Sequence, residues 1–199
     1  MSEAKVIPMQ PEGDTDRQRH CEREVLRLIL NYPAQQLADY GVTVTEYLLE
    51  QVDETPFCTP EYTNLRKWCA DELTAERYPD ARALHQLEST ALRRTLGDLV
   101  PELDQLAPDW ITQQRYTPGE LEQLQTACET AILRLNKCTV ERELVECLET
   151  MNKLDPTSID QYLAQLAIFQ NLKKLDAQLA GLLGVPTTPT IPKLPALAK

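Results

Sequence analysis

Aromatic residues are scarce in this chain, at 6% of 199 positions, and glycine and histidine are limited to six and two. Valine and isoleucine are too few to furnish a sheet of several strands. No apolar run approaches the ~20 residues that a membrane helix needs. The first 19 residues lack the apolar core of a signal peptide. There is no CxxC pair, no glycine-rich phosphate loop, no GxSxG, no HExxH and no Glu-x-x-His pair of the di-iron bundle type. His20 adjoins Cys21, but consecutive helical residues do not face each other, so the pair is a poor nucleophile and base. These absences point away from an enzyme and away from any cofactor or metal.

What remains is leucine, alanine, glutamate and glutamine, all good helix formers. The expected fold class is therefore all-α. Apolar residues make up 42%, enough to bury a core, and 199 residues suit one domain or two small helical ones. Thirty-one acidic residues face twenty basic ones, for a net charge of −11. A surface of that sign repels phosphate, so little direct nucleic-acid binding is expected. Arg66-Lys67, Arg93-Arg94 and Lys173-Lys174 are small basic pairs that read first as solvated helix faces. Cysteines stand at 21, 58, 69, 128, 138 and 147. Their spacing suits no helical metal site, and buried free thiols in a reducing cytoplasm account for them.

Residues 1–19, polar and interrupted by Pro8, Pro11 and Gly13, read as a disordered leader or linker. An opening linker is what a piece of a longer protein would carry. His20 to Tyr32 is the first periodic segment, with Val25, Leu26, Leu28, Ile29 and Leu30 as its apolar stripe. Pro33 and Gly41 suggest a second, short helix between them. Thr43-Val44-Thr45-Glu46 is a capping box opening a helix with Tyr47, Leu48, Leu49 and Val52. Thr59-Pro60 opens another, to about Arg77, with Tyr62, Leu65, Trp68, Cys69 and Leu73 inward. Leu84, Leu87, Leu92, Leu96 and Leu99 argue for one or two helices between Asp80 and Val100. Pro101 and Pro108 bound a connector.

Thr117-Pro118-Gly119-Glu120 is the clearest helix start. No proline or glycine follows until Pro156, which predicts one helix of about 35 residues, roughly 50 Å long. Leu121, Leu124, Cys128, Ala131, Leu135 and Cys138 form its stripe, which Val145 and Leu148 continue less cleanly. Asn136, Lys137 and Thr139 interrupt it, and a bend is expected there. Glu141, Glu143, Glu146 and Glu149 read as a solvated face. Asp155-Pro156 marks a tight turn. A last helix follows with Ile159, Leu163, Leu166, Phe169, Leu172, Leu175, Leu179 and Leu182, ended by Gly184. So short a connection makes the two long helices an antiparallel hairpin. Prolines at 186, 189, 192 and 195 give the end polyproline spacing and a disordered tail; a proline-groove ligand is the alternative reading.

The order of elements carries a resemblance. It runs through Glu22-Arg-Glu-Val-Leu-Arg-Leu-Ile-Leu-Asn-Tyr32, short helices, Asp109-Trp110, one long helix and a closing hairpin. Ala131 to Cys138, Glu146 to Leu154, Gln161-Tyr-Leu and Leu172 to Ala180 carry the closing part. Over about residues 20 to 184 this resembles the C-terminal helicase-binding domain of bacterial replicative DNA primase (DnaG-type). The likeness rests on element order and a loose apolar pattern. It implies two lobes, a helical bundle (20–116) and a long connecting helix with a hairpin (117–184), between the leader (1–19) and the Pro-rich tail (185–199) read from the residues. It also implies docking on the N-terminal domains of the hexameric replicative helicase (DnaB-type), within the primosome of DNA replication. Some relatives also contact single-stranded DNA-binding protein. The zinc ribbon and polymerase core of a whole primase are missing, so the chain would not itself make primers. The contact residues implied are Met151, Asn152, Lys153, Asp155, Tyr162, Gln165, Phe169, Lys173 and Lys174. Two other readings stand beside this one: the N-terminal domain of a replicative helicase, and an unrelated helical adaptor, carrier or enzyme.

Overall fold

A computed structural model describes residues 12–79, 94, 95, 99, 123–154 and 158–188. Among these the fold is all-α with one very small hairpin. Its elements are α1 (Glu12–Asn31), β1 (Gln36–Leu37), β2 (Val42–Thr43), α2 (Val44–Gln51), α3 (Pro60–Thr74), α4 (Leu124–Lys153) and α5 (Ile159–Leu183).

Helix α1 starts at Glu12, so the leader expected to be disordered to residue 19 is helical over its last part. Tertiary contacts explain the gain: Gln18 is buried, and Arg17 reaches Glu141 of α4 at 2.8 Å. The short helix expected between Pro33 and Gly41 is instead a turn and hairpin pairing Gln36 with Thr43 and Leu37 with Val42. Gly41 does take the left-handed conformation (φ 68°), which glycine adopts without strain. Its N–H bonds to the Leu37 carbonyl at 2.9 Å, closing one isolated turn that is too short to be a helix.

The capping box of α2 forms as the sequence predicts. Glu46 N–H donates to Thr43 Oγ1 at 3.3 Å, and Thr43 N–H donates to Glu46 Oε2 at 2.7 Å. Helix α3 begins at Pro60, also as predicted, yet Thr59 makes no side-chain cap. Its place is taken from another helix. The fully buried Glu22 of α1 accepts from Cys58 N–H at 2.5 Å and Thr59 N–H at 3.1 Å. A carboxylate there also meets the positive end of the α3 dipole. At its other end α3 stops at Thr74, short of the expected Arg77. Glu76 turns left-handed (φ 56°), and Arg77 N–H bonds back to the Glu72 carbonyl. The Arg77 guanidinium forks onto the Glu72 carboxylate at 2.8 and 2.9 Å, closing the turn.

The long helix begins at Leu124 rather than near Pro118, because Gln123 is already a turn residue. The Thr117–Glu120 start lies outside the described residues, as do Asp109-Trp110 and most of the Asp80–Val100 segment. From Leu124 the helix runs unbroken for 30 residues, about 45 Å. It serves two separate cores. Leu124, Cys128, Ala131, Ile132, Leu135 and Cys138 pack with α1, α2 and α3, and with the buried Leu99. Val140, Leu144, Cys147 and Met151 pack with Phe169 and Leu179 of α5. At 3.6 residues per turn these two sets lie on roughly opposite sides of the helix. The expected continuation through Val145 and Leu148 is therefore corrected: both are half-buried, and the stripe changes face after Cys138.

Gly184 ends α5 in the left-handed conformation, as predicted. The Val185 N–H bonds to the Ala180 carbonyl at 3.0 Å, satisfying one of the last carbonyls of the helix. Within residues 185–188, expected as the start of a disordered tail, Thr188 is held by side chains described below; 189–199 lie outside the described residues.

Candidate interaction surface of the terminal hairpin

Among the described elements helix α5 packs chiefly on one neighbour, α4, and one neighbour covers only one stripe of a helix. Phe169, Asp176, Leu179 and Ala180 are buried, and Tyr162, Leu166 and Leu172 are partly covered. The apolar residues of α5 occupy a wider arc than that. Ile159 is 66% exposed and Leu163 55%, on one side of the buried stripe. On the other side Ile168 is 48% exposed, Leu175 42% and Leu182 71%. The last three stand seven residues apart, two helical turns each, and so form one line along the helix. Of the apolar residues that the sequence gives this helix, Ile159, Leu163, Leu175 and Leu182 are left on the surface. Scattered single leucines need no explanation, but several on one helix in register constitute a patch.

The residues implied as contacts divide sharply. Met151 and Phe169 lie inside the hairpin core and are not surface anchors. Tyr162 packs partly against the same core. Gln165 is half-buried, its carbonyl and Oε1 both facing the Cys147 thiol at 3.5 and 3.6 Å. Asn152, Lys153 and Lys174 are exposed. Lys153 lies 3.6 Å from Glu149. Asp155 falls outside the described residues. Lys173 belongs to a buried polar cluster that the sequence does not reveal.

That cluster sits where α4 changes face. Lys137, almost fully buried, donates to Asp176 Oδ1 at 2.6 Å and pairs with Glu141 at 2.9 Å. Glu141 also takes Arg17 from α1, so it is no member of a solvated face. Asp176, with no exposed surface, further accepts from Thr188 N–H at 2.8 Å and Thr188 Oγ1 at 2.9 Å. The Lys173 ammonium donates to the Thr188 carbonyl. With Lys173 Nζ also 3.5 Å from Oδ2, both oxygens of the buried carboxylate have two donors each, which is the condition for burying a charge. Burial pushes Asp176 toward the neutral acid, but the bonds from Lys137 and Thr188 outweigh it and hold the carboxyl below its ordinary range. Burial likewise works against the Lys137 charge, and Asp176 and Glu141 outweigh it, raising its pKa. Lys137 is the residue that interrupts the apolar stripe. The interruption is a buried ion pair between the two helices of the hairpin.

Arg66, read as part of a solvated pair, donates to the Val52 carbonyl and lies over the Phe57 ring. Five of the six cysteines are buried and free; Cys58 is exposed and meets the Arg142 guanidinium. Among the described residues no cluster of three or more histidine, cysteine or carboxylate side chains could hold a metal ion. A surface cleft of about 430 Å³ beside α2 is lined by Leu49, Glu50, Gln51, Asp53 and Glu54. No helix among the described residues is long and apolar enough to cross a membrane. No curated protein and no solved structure matches the chain. Over residues 10–187 the chain matches the family described as a domain of unknown function, DUF8430, and it belongs to that family.

Proposed function

We propose that this chain is a non-catalytic docking module of a bacterial DNA primase, which holds the N-terminal domains of the replicative helicase through its terminal hairpin. The observation that carries the docking part is the exposed line Ile168, Leu175 and Leu182 on α5. A helix that keeps this much aliphatic surface in water gains by covering it with a partner. Each such side chain contributes about 2 kcal/mol when fully buried. The partner's identity rests on the order of elements along the chain, from the Glu22–Tyr32 helix to the hairpin closed by Gly184. Recruitment of priming to the unwinding fork is the role this assigns.

The test is direct association with the replicative helicase of the same organism. Size-exclusion chromatography and calorimetry should show a complex at micromolar concentrations. Ile168→Glu, Leu175→Glu and Leu182→Glu should each weaken it by about tenfold or more. Absence of a complex at those concentrations rejects the helicase. A complex indifferent to all three substitutions moves the contact elsewhere on the chain.

A further inference from the structure

Cys21 of α1 and Cys138 of α4 are 117 residues apart in sequence, yet their sulfurs lie 3.5 Å apart at the seam of the first core. No other pair of the six cysteines makes such a contact among the described residues. From this geometry we propose that Cys21 and Cys138 form a peroxide-driven, reversible disulfide that clasps α1 to α4. This does not depend on the identity of the docking partner.

The surroundings distinguish this pair from the other thiols. Burial, with a nearby carboxylate adding to it, pushes Cys69 up to about 12 and Cys128 up to about 11, leaving both as inert core residues. Cys147 is also raised by burial. Cys21 goes the other way. The contact with the Cys138 thiol holds it below its ordinary range, and Arg17 and Arg134 add positive charge nearby. The same contact and burial push Cys138 up. With these two cations near it, Cys21 is the attacking thiol, and Cys138, 3.5 Å away, is the resolving one.

The chemistry closes with hydrogen peroxide as the oxidant. The Cys21 thiolate attacks one peroxide oxygen, the O–O bond breaks, and water leaves after taking up a proton. Cys21 is now a sulfenic acid. The Cys138 sulfur then attacks the Cys21 sulfur, the S–S bond forms, the S–O bond breaks, and a second water leaves with the Cys138 proton. Two thiols and one peroxide give one disulfide and two waters. Both sulfurs are oxidised and the peroxide is reduced. A dithiol reductant reverses the bond by exchange. The bond links two helices that meet only through tertiary packing, so it restrains the unfolded chain over a long loop and stiffens the first core.

The experiment uses the full chain carrying Cys58→Ser, which removes the exposed thiol. Native protein is treated with hydrogen peroxide, quenched, unfolded in an alkylating agent and weighed. The expected result is two fewer alkylated thiols than in reduced protein, and a proteolytic fragment joining Cys21 to Cys138. The melting temperature should rise on oxidation and return with dithiothreitol. In a Cys138→Ala variant the bond should vanish and a sulfenic acid at Cys21 should be trapped by dimedone. Full alkylation after peroxide, or a bond joining other cysteines, overturns the proposal. If Cys138→Ala fails to fold, the cross-link map of the Cys58→Ser protein decides alone.

Discussion

The two ends of α4 sit in very different surroundings. Its first half closes a core in which Val25, Leu26, Ile29, Leu48, Leu65 and Leu135 have no measurable exposure or almost none. Three further helices supply that core, so every apolar face has somewhere to go. Among the described residues the apolar side chains of its second half pack only against α5. There Leu144 is fully buried, but Val140, Cys147, Met151, Phe169 and Leu179 keep a few per cent exposure, and α5 leaves five large aliphatic side chains in water. Two helices in contact bury one stripe each. A bundle consumes its hydrophobic surface, whereas a hairpin retains some for another molecule. What the hairpin lacks in apolar closure it recovers in specificity. Lys137 and Asp176 face each other at one register only, since a slip of α5 along α4 would separate the two buried charges and leave each with a partner on its own helix alone.

This contrast can be broken at several points. The largest effect is expected at the buried pair. Lys137→Ala removes the nearer of the two ammonium partners of the buried Asp176 and should destabilise the protein by about 3–5 kcal/mol in denaturant unfolding. The double variant Lys137→Met, Asp176→Leu should recover most of that loss; a double variant as unstable as the single one would show that the pair is not the cause. The same site predicts a pH dependence. Asp176 is depressed in the folded state, so its contribution is present above the ordinary carboxylate value and lost as pH falls through the folded value. Lys137 is raised, so its contribution is present below the ordinary lysine value and lost as pH rises through the folded value. Melting temperatures should fall at both acid and alkaline extremes, and the double variant should flatten both limbs.

In the first core, Leu65→Ala or Leu48→Ala should cost about 3 kcal/mol, the range for a fully enclosed leucine that leaves a cavity. Leu175→Ala on α5 should cost far less, within about 0.5 kcal/mol, as a surface change does. Equal losses at the two places would erase the distinction between bundle and hairpin. A smaller effect than the core truncations is expected from Glu22→Gln. Its amide would present a donor where Thr59 or Cys58 N–H now donates, at a cost of about 1–2 kcal/mol. In the opposite direction, Glu76→Gly should stabilise by about 1 kcal/mol, because it relieves a left-handed conformation in a side-chain-bearing residue. Thermal unfolding would detect each of these.

Much of the local structure was legible in the residues. The capping box at Thr43 and Glu46, Pro60 as the first residue of α3, and Gly184 as the left-handed stop of α5 all follow from short-range stereochemistry. The stripe from Leu124 to Cys138 follows from helical period alone. Other features were illegible because distant residues supply them. Glu22 caps α3 across 36 positions, a distance no local pattern encodes. Glu76 ends α3 where no glycine or asparagine announces a left-handed turn. Glu141 resembles its neighbours Glu143 and Glu146 in sequence and differs only in what stands opposite it.

The terminal hairpin shows the division most plainly. The sequence by itself determined that two long helices follow one another with almost no connection, and so lie antiparallel, because caps, stops and period are properties of neighbouring residues. Only the tertiary structure decided which leucines of α5 the pairing hides and which it leaves in water. It also decided that Lys137, an apparent break in the stripe, is the buried ion that fixes the register. The physical reason is the same in both cases: a side chain's burial and a charge's partner depend on residues brought close by packing, and a helical pattern specifies a face without saying what will cover it.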